Sequence, residues 1–190
     1  MAADGNLLVG TDPGGLVIRV SPSGQGFVVY QTPKSEVAAL AVAPNGDVYA
    51  AALGSKVTAP APSAPAMVPI TPSQSPVVAP AAVHAAPAFP AASHIAAARA
   101  GGSEVYRIER DGSTRRVWSD SQALVYAIAF DASGRAVLGT GNRGILYRID
   151  SPVLSTRLTD LAPTQVTAFC PAPGGSIYAI TGNVGKLYRI

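Results

Sequence analysis

The chain has 190 residues, of which 48% are apolar and only 6% aromatic, so any core is built from Ala, Val, Leu and Ile rather than from rings. Its formal charge of +3 is scattered: Arg115-Arg116 is the only adjacent basic pair, too thin to track a phosphate backbone, which sets nucleic acid aside as a partner. The single cysteine, Cys170, excludes an intramolecular disulfide and a thiolate metal cluster, and no run of 18 apolar residues exists to span a membrane.

The N-terminus, Met1-Ala2-Ala3-Asp4, has neither a charged leader nor an apolar core, so no signal peptide is expected there. Residues 6–30 read as three short strands, one ending Ile18-Arg19-Val20. Val37 to Val42 is an apolar strand, followed by a turn marked by Gly46 and a further apolar strand. Residues 55–101 then change character. They hold nine of the seventeen prolines, many alanines, no acid, and only Lys56 and Arg99 as formal charges. Such a segment buries too little apolar surface to fold alone, so a disordered, extended insertion is expected, with one or two helical turns at most over 93–99. Strands resume at Tyr106-Arg107-Ile108, and Ser113 to Trp118 is wetter. Val125 to Phe130, Ala136 to Thr140, Ile145 to Ile149 and Thr156 to Thr159 form the clearest group of four, joined by Asp131-Ala-Ser-Gly134 and Gly141-Asn142-Arg143-Gly144. Val166 to Cys170 starts a last group that runs to Tyr188-Arg189-Ile190, with Cys170 expected as a small buried hydrophobe.

These groups are copies of one unit. The three Tyr-Arg-Ile tripeptides are spaced 41 apart, and Gly5, Gly46, Gly134 and Gly175 mark one turn once a 47-residue insertion is removed. A period near 40–45 made of four short strands predicts an all-β fold, a β-propeller segment of about 3.5 four-stranded antiparallel blades with one long Pro/Ala-rich loop. Strands one and two are apolar at nearly every position, as expected where both faces of a sheet are covered by neighbouring blades. The copies supply three, four, four and three strands. The chain divides into blades over 1–54, the insertion over 55–101 and blades over 102–190, with the insertion between strands two and three of the second blade. An open stack exposes an apolar face at each end. The expectation is a fragment of a ring of six to eight blades, or else self-association, since two copies would give 28 strands, enough for seven blades.

Residues 125–150, VYAIAFDASGRAVLGTGNRGILYRID, resemble the bacterial propeller repeats grouped as WD40-like, NHL-like and two-component-regulator repeats, and the resemblance extends over all four copies. The Gly-His and Trp-Asp pairs of true WD40 repeats are missing. The resemblance implies a larger bacterial protein, for which a periplasmic or secreted setting fits, and it leaves the activity open because propellers host many.

Chemistry on the blades is sparse. His84 and His94 both lie in the insertion, so no Ser-His-Asp or Cys-His set can be assembled, and no metal site is expected between them. Asp12, Glu36, Asp120, Asn142, Asp160 and Asn183 fall on the insertion-bearing face but read as turn residues, with Asn142 and Asn183 suited to positive φ. The polar residue held in every copy is arginine: Arg19, Arg107, Arg148 and Arg189 form an arc, one per blade. It reads either as a basic rim for an anionic ligand such as an acidic glycan, or as a structural element pairing with Asp111 or Asp150 and stacking on aromatics of the next blade. The structural reading is favoured, because blade interfaces need repeating polar positions. The chain is therefore expected to be a non-catalytic binding or scaffold module for protein or glycan, without a cofactor. The alternatives are a sensor propeller of a two-component receptor and a metal-dependent lactonase or hydrolase.

Overall fold

A computed structural model describes residues 4–55, 101–141, 143–161 and 165–190. The insertion's expected disorder, its short helix, its two histidines and Asn142 all lie outside the described residues. The described residues form fourteen strands in four antiparallel sheets of three, four, four and three, as the repeat predicts. The first sheet holds β1 (Leu7–Gly10), β2 (Leu16–Val20) and β3 (Gly26–Gln31). The second holds β4 (Glu36–Val42), β5 (Val48–Leu53), β6 (Ser103–Ile108) and β7 (Thr114–Asp120). The third holds β8 (Val125–Phe130), β9 (Ala136–Thr140), β10 (Ile145–Ser151) and β11 (Leu154–Asp160). The fourth holds β12 (Gln165–Pro171), β13 (Ile177–Gly182) and β14 (Lys186–Arg189).

Each sheet is a meander, and apart from the β5–β6 connection its turns are local. Asp131 accepts backbone N–H bonds from Ser133 and Arg135, both at 2.9 Å, and Gly134 closes the turn at φ 75°, which a side chain would resist. The loop between second and third strands is clamped by a threonine. Thr140 Oγ1 donates to the Ile145 carbonyl at 2.9 Å and accepts from its N–H at 3.0 Å; Thr11 accepts from Leu16 N–H and Thr181 from Lys186 N–H. The equivalent residue in the second sheet is Ala52, and that is the loop carrying the insertion. There β5 and β6 still pair from Val48↔Ile108 to Leu53↔Ser103, so the strands are already joined on either side of it. Deleting residues 57–100 should leave melting unchanged or raise stability by up to about 2 kcal/mol, because a shorter loop costs less closure entropy. A lowered melting temperature would show that the deleted residues pack.

The sheets stack face to face, β4 against β1, β8 against β4 and β5, and β12 against β8 and β9. Val17, Val37, Ala50 and Ile108 fill the first interface; Tyr49, Val105, Trp118, Val125 and Leu138 the second; Ala127, Leu146, Val166 and Ala179 the third. The repeated tyrosine now has a reason. Tyr106 meets Tyr30 of the preceding sheet's outermost strand at 5.2 Å between ring centroids, and Tyr147 meets Trp118 of β7, the outermost strand of the second sheet, at 5.3 Å. Tyr188 packs into the cluster that includes Leu158 on β11. Each tyrosine thus fastens its own sheet to the rim of the last.

Two expectations need correction. Cys170 is exposed rather than buried, since alternate residues of β12 face away from the third sheet, where no described residue covers them. Two copies would bring eight sheets, four of them three-stranded, so the seven-bladed count from 28 strands does not follow from the sheet boundaries.

Candidate functional site

The arginine arc lies on one face of the stack. Arg107 and Arg148 sit near the C-terminal ends of β6 and β10, at the level of the hairpins joining strands one to two and three to four. The insertion leaves from the opposite face, between β5 and β6.

The four arginines have different surroundings. Arg107 Nε donates to Asp47 Oδ2 at 2.7 Å, with Arg107 Nη2 also 2.7 Å away and Glu109 at 3.9 Å. Asp47 is almost fully buried. Burial works against the charge on Arg107, but the bonded Asp47 carboxylate outweighs it and raises the guanidinium pKa. Arg148 Nε donates to Asp150 at 2.7 Å, and Thr156 Oγ1 donates to the other carboxylate oxygen at 2.6 Å. These bonds, with Arg135 nearby, hold the Asp150 carboxyl below its ordinary range. Arg189 donates to the Pro173 carbonyl at 3.3 Å. The expected pairing with Asp150 is present. The expected pairing with Asp111 is not among these contacts: Asp111 accepts from the Ser113 N–H and hydroxyl at 2.9 and 2.8 Å, which lower its pKa.

Arg19 differs from the two paired arginines. The positions that supply Asp47 and Glu109 in the second sheet are Asn6 and Ser21 in the first. Arg19 consequently makes no ion pair among the described residues. It lines a cleft of about 410 Å³ between the first and second sheets, with Phe27, Arg110, Asp4, Glu109 and Asp111. The acids there are engaged elsewhere. Asp4 accepts from Asn6 N–H at 3.1 Å and from its side-chain amide at 2.7 Å, bonds that lower its pKa, with Arg19 adding to the effect through space. Glu109 lies 3.4 Å from Arg115. Arg110 also has no ion pair among the described residues, and Phe27 is exposed. The cleft therefore offers two guanidinium groups beside an aromatic ring. Sequence reasoning missed Arg110, Phe27 and Asp47; the loss of both acids around Arg19 was the signal that could have found the cleft.

On the opposite face, Asp120 accepts from the N–H groups of Gln122 and Ala123, both at 2.7 Å, and Asp160 is bonded by Arg157. These are turn and strand-end roles. Asn183 has φ 70°, as expected of its hairpin. Among the described residues no three His, Cys, Asp or Glu side chains converge as a metal site.

No protein-family profile matches the chain, and no curated protein does. Solved structures do. A protein assigned as a gluconolactonase matches with a TM-score of 0.59 and 13% identity, over 98% of this chain and 57% of that one. Virginiamycin B lyase from Staphylococcus aureus matches at 0.61 and 10%, over 100% of this chain and 53% of the lyase. The extracellular domain of a hybrid two-component system protein from B. thetaiotaomicron matches at 0.57 and 13%, over 94% of this chain and 19% of that domain. The fold is that of a β-propeller. The chain spans little more than half of the first two structures and a fifth of the third. Enzymes and a sensor domain stand side by side among these neighbours, so the shared architecture selects no activity.

Proposed function

We propose that the chain is a non-catalytic propeller binding module that takes an anionic ligand, an acidic glycan in the first instance, in the cleft between its first and second sheets. The observation that supports this is Arg19: it keeps the repeat's arginine where the acids that hold Arg107 are replaced by Asn6 and Ser21. With Arg110 it gives two cationic forks, and the neighbouring Phe27 offers a flat apolar surface on which a sugar ring can stack. In the other sheets the same arginine has a structural role, so binding and stability separate by position.

Calorimetry with galacturonate oligomers tests the proposal against galactose oligomers of equal length as the neutral control. Arg19→Ala should weaken acidic-oligomer binding by about ten- to a hundredfold, the loss of one charge-assisted bond, with an unchanged melting temperature. Equal binding by variant and parent, or equal binding of acidic and neutral oligomers, would remove the cleft from the account.

A further inference from the structure

We propose that the cleft between the second and third sheets is a second sugar subsite, which takes a neutral unit of the oligosaccharide whose acidic unit lies in the first cleft. It rests on the first-cleft reading for the acidic unit, and it begins from the repeat. The second cleft has a volume of about 170 Å³ and opens on the same face, beside the hairpins that carry Gly134 and Ser151. It is the first cleft moved on by one blade: Arg107 stands for Arg19, Tyr49 for Leu8, Gly134 for Gly46 and Asp150 for Glu109. Stacked sheets lie about 10 Å apart, a step that a short oligosaccharide spans.

The two clefts differ in charge. The guanidinium of Arg110 is replaced by Ser151, and Arg107 is bound to Asp47. Arg135 also lines the second cleft, 2.8 Å from Asp131 and 3.8 Å from Asp150. Both arginines of this cleft thus have a carboxylate, so a further anion gains little there. A hydroxyl, which donates and accepts at once, suits such paired charges. The gap of 3.8 Å between Arg135 and Asp150 is too long for a direct hydrogen bond, so both groups keep bonding capacity for it.

Tyr49 shows where the ligand is met. Its ring packs edge-on against Phe130 at 5.3 Å between centroids, and the residue is 9% exposed. Arg107, Asp47 and Glu109 act on its phenol through space, yet its hydroxyl bonds to none of the described residues. A buried polar group without a partner is uncommon. This one lines the cleft, where it can donate to a sugar hydroxyl and accept from another. Val117, Ile149 and Pro152 add apolar wall for the C–H face of the ring.

Calorimetry on the whole chain tests the subsite with an alternating hexasaccharide of glucuronate and N-acetylglucosamine and with the disaccharide of the same units. The parent should bind the hexasaccharide about tenfold more tightly or better, because the disaccharide reaches one cleft only. Tyr49→Phe should weaken hexasaccharide binding by about three- to tenfold, the loss of one hydrogen bond. It should leave disaccharide affinity and melting temperature unchanged, because the ring stays on Phe130. Arg19→Ala should weaken both ligands. Equal affinity for the two, or a Tyr49→Phe chain with full hexasaccharide affinity, would overturn the second subsite even where Arg19→Ala still weakens binding. A galacturonate hexamer with the same Tyr49-dependent gain over its dimer would overturn the neutral unit. Disaccharide binding indifferent to Arg19→Ala would instead overturn the first-cleft reading and, with it, the pairing of acidic and neutral units; a parent that binds neither ligand removes both.

Discussion

Shortening Leu146 to alanine should lower the free energy of unfolding by about 3–4 kcal/mol and the melting temperature by about 10 °C. Leu146 is fully buried between the third and fourth sheets, packed among Ala127, Leu161, Val166 and Ala179. Most of these neighbours are small or β-branched and have few rotamers with which to fill a hole. The backbone is fixed as well, since β10 is paired to β9 on one side and β11 on the other. The lost methyl groups are thus replaced by a cavity rather than by a collapsed wall. Leu187→Ala is the control. It alters the same repeat position on an exposed side chain, so in dilute monomeric protein it should shift stability by less than about 0.5 kcal/mol. Denaturant melts of both variants decide the matter, and similar effects at the two sites would mean that the third interface is not packed as described.

Arg107→Ala carries the second large effect, a loss of about 2–3 kcal/mol. The substitution strands Asp47, which is almost fully buried and accepts its short contacts from that guanidinium. The neighbouring Asn45 amide, which bonds Asp47 at 2.8 Å, remains and limits the damage. A double-mutant cycle with Asp47→Ala should show a coupling of about 1–2 kcal/mol. Arg19→Ala, at the equivalent position without an acid, should leave thermal stability unchanged. A cycle without coupling would refute the ion pair as a source of stability.

Much of the fold is legible in the sequence because it is written four times. The glycine turns, the threonine that ends strand two and the Tyr-Arg-Ile of strand three sit in one register, so the strand groups of three, four, four and three follow from counting. Pairings that skip between strands are harder to read. Asp47 lies 60 residues before Arg107 because the insertion intervenes, whereas Asp111 is close in sequence and draws attention. The register Tyr49↔Arg107 is what brings Asp47 within reach, and that register exists only once the sheet is formed. Cys170 shows the other kind of failure. Its strand looks buried from composition, but β12 belongs to an end sheet, and composition does not say which face of a strand has a neighbour. The Arg19 cleft depends on what the first copy omits, and an omission becomes visible only when the copies are aligned on their contacts.

Near-identical neighbours pose a sorting problem for a folding chain, and the ion pairs bear on it. The second strand is preceded by Asp47 in one sheet, and the same position in the next sheet is Arg135. Arg107 takes its acid from that position, whereas Arg148 takes its acid from Asp150, with Arg135 3.8 Å from the same carboxylate. A chain that exchanged these two strands would set Arg135 beside Glu109, as it now stands beside Asp150, and Asp47 beside Arg148, as it now stands beside Arg107. The charges therefore accept either order, and it is the short hairpins tying β4 to β5 and β8 to β9 that keep each strand in its own blade.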